Sequence, residues 1–326
     1  MSPPTRIVCL TEETVETLYL LGEQERIVGI SGYVVRPPQA RREKPRFSAF
    51  TSANIDKILA LGPDLVLTFS DLQADIAATL IRHGLSLHAF NQRSVAGILD
   101  MIRMIGAMVN ASERAAQLAA RLEAGLAQAR SRAESLPKRP RVFFEEWDDP
   151  LISGIGWVSE LVEIAGGIDI FADRATQGVA RNRVVTTDEV IAREPDLIIG
   201  SWCGKKFRPQ WVMIRPGFGQ VPAVQHQDVY EIKSSLILQP GPAALTDGLV
   251  ELQKFIERWA KTRPCEALSR SVLCLGRLLR PASRPSRWLL GSSPDDGSCP
   301  IAVTQMARSQ APSHAVSLDL SRIKPS

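Results

Sequence analysis

The chain has little of most things that announce a chemistry. Its five cysteines, Cys9, Cys203, Cys265, Cys274 and Cys299, are scattered and never stand two residues apart, so neither a disulfide framework nor a zinc site is suggested. The four histidines show no ligand spacing either, and no metal site is expected. No Gly-x-Gly-x-x-Gly follows a strand-like run, which removes the dinucleotide fingerprint. GSWCGKKF (Gly200–Phe207) ends in Gly-Lys but is one residue short of a phosphate loop, with Lys206 where Ser or Thr would hold magnesium. There is no Gly-x-Ser-x-Gly elbow and no His-Glu-x-x-His, so no catalytic residue is expected from a motif. No run approaches the roughly 20 apolar residues of a membrane span. A net charge of +4, with much of the basic excess beyond residue 260, implies no groove for nucleic acid. The opening MSPPTRIVCL runs almost directly into a strand without a basic region and long apolar stretch. Read by itself, that start places the chain in the cytoplasm.

What is present is the mix of a soluble globular protein, 44% hydrophobic and 23% charged over 326 residues, enough for two modest domains. The first half alternates strand and helix: strands at Arg6–Leu10, Arg26–Ser31, Asp64–Thr68 and Ser86–Phe90, with helices after Thr11, at Asn54–Leu61, Leu72–His83 and Ser94–Val109. A long loop rich in proline and arginine, GYVVRPPQARREKPRFSAF, interrupts the alternation. The second half starts again with strands at Arg141–Glu146, Asp196–Gly200 and Asp228–Ile232 and a final amphipathic helix from near Ala243. Such alternation predicts mainly parallel sheets covered on both faces.

Between the halves lies NASERAAQLAARLEAGLAQARSRAESLP, whose apolar residues from Ala115 to Leu136 recur at three and four positions. The pattern predicts one helix over Asn110–Pro137, opened by an Asn110/Glu113 capping box and stopped by Pro137. At about 1.5 Å per residue it spans roughly 35–40 Å and can act as a strut. A continuous helix absorbs little rotation, so a small opening motion is expected. On either side, NIDKILALGPDLVLTFSD (Asn54–Asp71) and TTDEVIAREPDLIIGSWC (Thr187–Cys203) repeat one plan. Each has an acid in the first helical turn (Asp56, Asp188), then Pro-Asp, an apolar strand and an aromatic. The domains are thus 1–109, the connecting helix 110–137, and 138–261. The tail 262–326, rich in Ser, Pro and Arg, is expected to be disordered, with a short helix near Glu266–Leu279.

Aromatics make up only 6% of the residues, yet Tyr33, Phe50, Phe69, Trp147 and Trp202 all fall in loops after strands or in the long loop. Aromatic faces supply large apolar area for a flat or bulky ligand, and together the five suggest a cleft. An acidic cluster, Glu145, Glu146, Asp148 and Asp149, ends a strand, where open α/β sheets place ligands. Paired carboxylates there suit acid–base chemistry, while Glu146 beside Trp147 suits a cationic or amide group.

From Arg6 to Ala260 the chain resembles the substrate-binding proteins of ABC importers, in which two Rossmann-like α/β lobes are joined by one long helix (class III periplasmic binding proteins). GISGYVVRPPQA, NIDKILALGPDLVL, the strut and VTTDEVIAREPDLII carry the resemblance, nearest to cobalamin-binding proteins, with ferric-siderophore and haem binders as cousins. It implies a monomer without enzymatic activity or cofactor. Such a protein binds cobalamin or another metal chelate and delivers it to a permease and its ATPase in the periplasm. Asp56 and Asp188 match the acids that dock on the permease, where relatives usually have Glu. Tyr33, Phe50 and Phe69 match ligand-contacting aromatics. Glu146, Trp147, Arg183 and Trp202 are the candidates from the second lobe, which departs from the family around Asn182–Arg183, where an aromatic is expected. A bilobed chelatase using Glu145 and Glu146 and a cytoplasmic corrinoid chaperone or sensor are the alternatives of another class.

Overall fold

Two sheets organise the computed structural model, which describes residues 2–262. In the first, β1 (Ile7–Cys9), β2 (Ile27–Ser31), β3 (Arg46–Ser48), β4 (Leu65–Phe69) and β5 (Leu87–Phe90) lie in the order β3-β2-β1-β4-β5, every pair parallel. In the second, β6 (Arg141–Asp148), β7 (Leu151–Ser153), β8 (Ile168–Asp169), β9 (Leu197–Gly200) and β10 (Val229–Glu231) run β10-β9-β6-β7, with β8 paired to β6. Only β7 is antiparallel among the described pairs. The central strands β1 and β9 are buried throughout, as a sheet covered on both faces requires. Three strands escape the sequence pattern. The edge strand β3 sits inside the proline-rich loop with Arg46 exposed, β7 is a short return after β6, and β8 has two residues.

The repeat is physical. In the first lobe the Asp64 carboxylate accepts the backbone N–H groups of Thr5 and Arg6, at 2.7 and 2.9 Å. The Arg6 side chain donates to the carbonyls of Leu61 and Gly62 at the end of the helix Ile55–Ala60. In the second lobe Asp196 accepts the N–H of Arg141 at 2.8 Å, and the Arg141 guanidinium reaches the carbonyl of Arg193. Each Pro-Asp turn thus pins the start of its sheet's central strand. Hydrogen bonds to ionised groups hold both elements in register where the chain enters each sheet.

The connecting helix occupies Ser112–Glu134, two residues shorter at its start than expected, and buries Ala115, Leu118, Ala119, Leu122, Leu126 and Ala129. Asn110 is not its cap. With φ at +59°, Asn110 is the left-handed residue closing the preceding helix, Val95–Met108. The N–H of Ala111 bonds back to Gly106 O at 2.7 Å, the bond of a Schellman ending that Asn tolerates. Ala111 then caps the long helix without a side-chain bond. The two helices pack so closely there that a Cβ on Gly106 would stand 2.2 Å from that of Ala115. One apolar cluster runs from Ile7 and Leu67 through Ile98 and Leu122 to Val142, Leu161, Leu197 and Ile256, so both sheets share a core. They belong to a single unit of the chain. The tail expected to be disordered lies outside the described residues, apart from Thr262.

Gly125, the only glycine of the long helix, faces open space, with nothing within 4 Å of a Cβ placed there. Gly125→Ala should therefore raise stability by about 0.5–1 kcal/mol, whereas Gly106→Ala should lower it by about 1–3 kcal/mol through overpacking against Ala115. Urea denaturation midpoints at unchanged slope check both. A destabilised Gly125→Ala variant would mean that the glycine serves bending.

Candidate functional site

In parallel sheets the loops after the strands gather along one edge, and across the groove between the lobes Arg93, after β5, senses Arg183 and Glu146, and Cys203, after β9, senses Glu12. On the first lobe, β1 runs into Thr11, Glu12 and Glu13. The Thr11 hydroxyl donates to Glu13 at 2.6 Å instead of capping the helix Glu12–Leu20, and Glu12 accepts the N–H groups of Val35 and Arg36 at 3.0 and 2.7 Å. Both carboxyls are buried, and desolvation pushes each up to about 7. Sequence reasoning passed over them, although Glu-Glu directly after a strand was the available signal.

Of the three aromatics expected on this lobe, Tyr33 alone is open, at 53% exposure. Phe50 is half-buried against the core, and Phe69 is buried. The Gln73 amide ties their loops together, donating to Phe50 O at 2.8 Å and accepting from Phe69 N at 2.9 Å. The Arg93 guanidinium lies 5.0 Å from the Phe69 ring centroid, so its charge and not the ring faces the groove. Burial pulls Arg93 down, its carboxylate partner Asp71 is 3.9 Å away, and it senses Arg183 and Glu146 of the other lobe.

On the second lobe successive residues of β6 alternate in role. Glu145 is fully buried and accepts two hydrogen bonds from Arg215, at 2.8 and 2.9 Å, and one from Trp202 Nε1 at 3.1 Å. Burial pushes it up, and the guanidinium and indole pull it back. Glu146 takes two hydrogen bonds from Arg183, at 2.7 and 3.0 Å, and Arg183 also donates to Ser153 O. Both carboxylates are therefore committed to guanidinium groups, which leaves no acid–base pair. Two of the expected site residues are buried. Trp202, at 2% exposure, is a wall packed edge-on against Phe207, and Arg183, at 1%, is a buried partner of Glu146. Glu146 takes up the Arg183 guanidinium, while the Trp202 ring has Lys205 Nζ over it, 4.8 Å from its centroid. Trp147 remains half-buried at the rim, its Nε1 donating to Asp149 O at 3.0 Å.

The lobes meet at defined points. The backbone of Arg93 lies against Gly156, where a Cβ would come within 2.2 Å of Arg93 O, and Gln92 donates to Pro240 O at 2.8 Å. Glu16 accepts from Ala243 N at 3.0 Å and from Arg36 at 2.9 Å, and Arg36 continues to Asp247 at 2.8 Å. Among the described residues no group of three or more His, Cys, Asp or Glu is placed to hold a metal ion. Nor is any helix long and apolar enough to cross a membrane.

Residues 7–236 match the model of the family described as periplasmic binding protein. The chain belongs to this family. A curated relative, the uncharacterized ABC transporter substrate-binding lipoprotein YvrC of Bacillus subtilis (strain 168), is 27% identical over 263 residues, covering 78% of this chain and 80% of the relative. A vitamin B12-binding protein of Vibrio cholerae serotype O1 is 26% identical over 247 residues, covering 74% and 86%. Among solved structures, the periplasmic haem-binding protein RhuT from Roseiflexus sp. RS-1 superposes with a TM-score of 0.66 at 24% identity, over 78% of this chain and 100% of that one. The expected fold, two α/β lobes on a helical backbone, is the one found. In this periplasmic binding protein Asp56 and Asp188 are exposed in the first turns of the helices Ile55–Ala60 and Thr187–Ala192. These helices precede β4 and β9, so their N-termini lie on the groove side. The second starts with a true capping box, Thr186 with Glu189, which sequence reading missed.

Two consequences are measurable. A carboxyl raised in the folded state holds its proton more tightly than the unfolded chain does. Glu12 and Glu13 therefore contribute stability below their usual 4.5 and lose it as pH rises through about 7. Tm should fall between about pH 5 and pH 8, and Glu13→Gln should flatten that fall, on the order of 1–3 kcal/mol. A wild-type Tm constant across this range would contradict the assignment. Arg215→Ala, which strands a buried Glu145, should cost about 3–5 kcal/mol in chemical denaturation, and Glu145→Gln in the same chain should recover part of it.

Proposed function

We propose that this protein is the ligand-binding component of an ABC importer that takes a corrinoid into the groove between its lobes and delivers it to a permease. The observation that carries the reading is the groove itself. Strand-end residues of the two sheets, Glu12 and Arg93 on one lobe and Glu146, Arg183 and Cys203 on the other, sense each other across it, with Tyr33 exposed and Trp147 half-buried. Aromatic faces with a few polar groups suit a broad, largely apolar macrocycle carrying amides. Vitamin B12-binding relatives support the choice.

A ferric-siderophore or haem ligand is the second reading, favoured by Arg93. Its desolvated guanidinium, with no carboxylate closer than 3.9 Å, suits an anionic group on the ligand. Delivery is assigned to Asp56 and Asp188, which stand alike on the two lobes and pair with arginines of a permease outside the membrane, where the family works.

Calorimetric titration against cobalamin, cobinamide, haem and ferric siderophores should give micromolar or tighter binding to at least one, and binding to none would sink the importer reading. Tyr33→Ala should weaken binding about tenfold, close to the loss of one aromatic contact. Asp56→Arg with Asp188→Arg should leave that affinity in place and abolish ligand uptake in cells carrying the transporter. Uptake equal to wild type would remove the docking assignment.

A further inference from the structure

The loop Cys203–Lys206 after β9 carries a group that the ligand reading leaves unused. Its Lys205 Nζ lies 4.3 Å from the Trp147 ring centroid and 4.8 Å from that of Trp202, and 2.5 Å from Asp148 Oδ1. Two indole faces and a carboxylate therefore surround one ammonium, the arrangement by which aromatic cages select cations. The walls stand without Lys205. Trp147 is held by its bond to Asp149 O, and Trp202 by Glu145 and the edge-on ring of Phe207 at 4.9 Å. Glu145 in turn is held by Arg215. The occupant is the loosely placed part. Lys205 is 39% exposed, and it follows Gly204, which has φ at +78° and nothing within 4 Å of a Cβ.

The cage belongs to the groove. It stands where β6 and β9 end, and the Cys203 thiol at the start of the same loop feels both Glu146 of its own lobe and Glu12 of the other. A cation receptor braced by its own hydrogen bonds and closed by a tethered, partly exposed ammonium is a site kept filled until a better occupant arrives. The charged walls would be costly to leave bare: Asp148 is only 17% exposed and would lose its partner.

We propose that Trp147, Trp202 and Asp148 form a binding site for an alkylammonium group of the ligand, and that Lys205 is its placeholder. The ligand is then a bulky molecule carrying a pendant amine, which an amide-bearing corrinoid lacks and a chelate of the second reading can carry, and its ammonium displaces Lys205 on entry. This rests on the groove being the ligand site, and it is tested with cations too small to need the rest of the groove.

The probes are n-butylammonium and tetramethylammonium chlorides, titrated by calorimetry and tryptophan fluorescence at constant ionic strength, with 1-butanol as the neutral control. Lys205→Ala empties the cage, and Lys205→Met keeps it filled by an uncharged chain of similar length. Lys205→Ala should bind n-butylammonium saturably and at least tenfold more tightly than wild type or Lys205→Met. Adding Trp147→Leu or Asp148→Asn to Lys205→Ala should remove at least tenfold of that affinity. Tighter binding of n-butylammonium than of tetramethylammonium marks the Asp148 hydrogen bond, and the reverse marks the aromatic faces; either supports the site. No saturable response from Lys205→Ala, the same response from Lys205→Met, or an equal response to 1-butanol overturns it. Chelate titration of the same variants separates the two readings. Chelate bound without ammonium leaves the importer reading and removes the cage, while ammonium bound without any chelate does the opposite.

Discussion

The structure depends on one apolar seam. Ala115, Leu118, Ala119, Leu122, Leu126 and Ala129 of the connecting helix bury one face in an apolar cluster shared by both halves, so one face of each sheet is clamped to a common spine, while the other packs a cluster of its own around Val66 in the first lobe and Ile198 in the second. Close-packed interiors deform little, and a helix of 23 residues resists bending more than a loop does. The groove between the lobes is accordingly fixed by packing.

Charge inside the molecule follows from that fixed frame. Glu145 and Glu146 end a buried strand, and each is neutralised by an arginine from a distant part of the chain, Arg215 and Arg183. Glu16, Arg36 and Asp247 form a third set that ties the first helix to the segment after the second sheet. Burying an ion without a partner costs several kcal/mol, so these sets are conditions of folding before they are features of a site. They also explain the polarity of the groove. Once the carboxylates of β6 are paired, the groups left near solvent are Tyr33, Trp147, Arg93 and Lys205.

The ends of the strands away from the groove show a second economy. Asp64 and Asp196 hold their sheets' central strands by the same hydrogen bonds to backbone, and the arginines opening those strands reach the same helix end. Two lobes with low sequence similarity thus share one device for setting register. The acids Asp56 and Asp188 stand in matching places because the device fixes where each helix ends and side-chain caps, Asn54 and Thr186, fix where each begins.

The amino-acid sequence by itself determined the alternation of strand and helix, the paired Pro-Asp units and the amphipathic spine. These rest on period and on local turn chemistry, which a chain carries along its own length. It also placed Tyr33, Phe69, Trp147 and Trp202 near strand ends. Which of them stay accessible was decided only by tertiary structure, because accessibility depends on neighbours far away in the chain. Arg93 covers Phe69, Glu145 and Phe207 enclose Trp202, and Glu146 takes Arg183 out of the groove. Asn110 shows the same limit at short range: its spacing to Glu113 fitted a helix start, but the turn it makes closes the helix before it. Edge strands such as β3 and β7 carry no period of their own and exist because a neighbouring strand offers them hydrogen bonds. The cation cage at Lys205 belongs to that class too, assembled from residues some 57 positions apart that no local pattern connects.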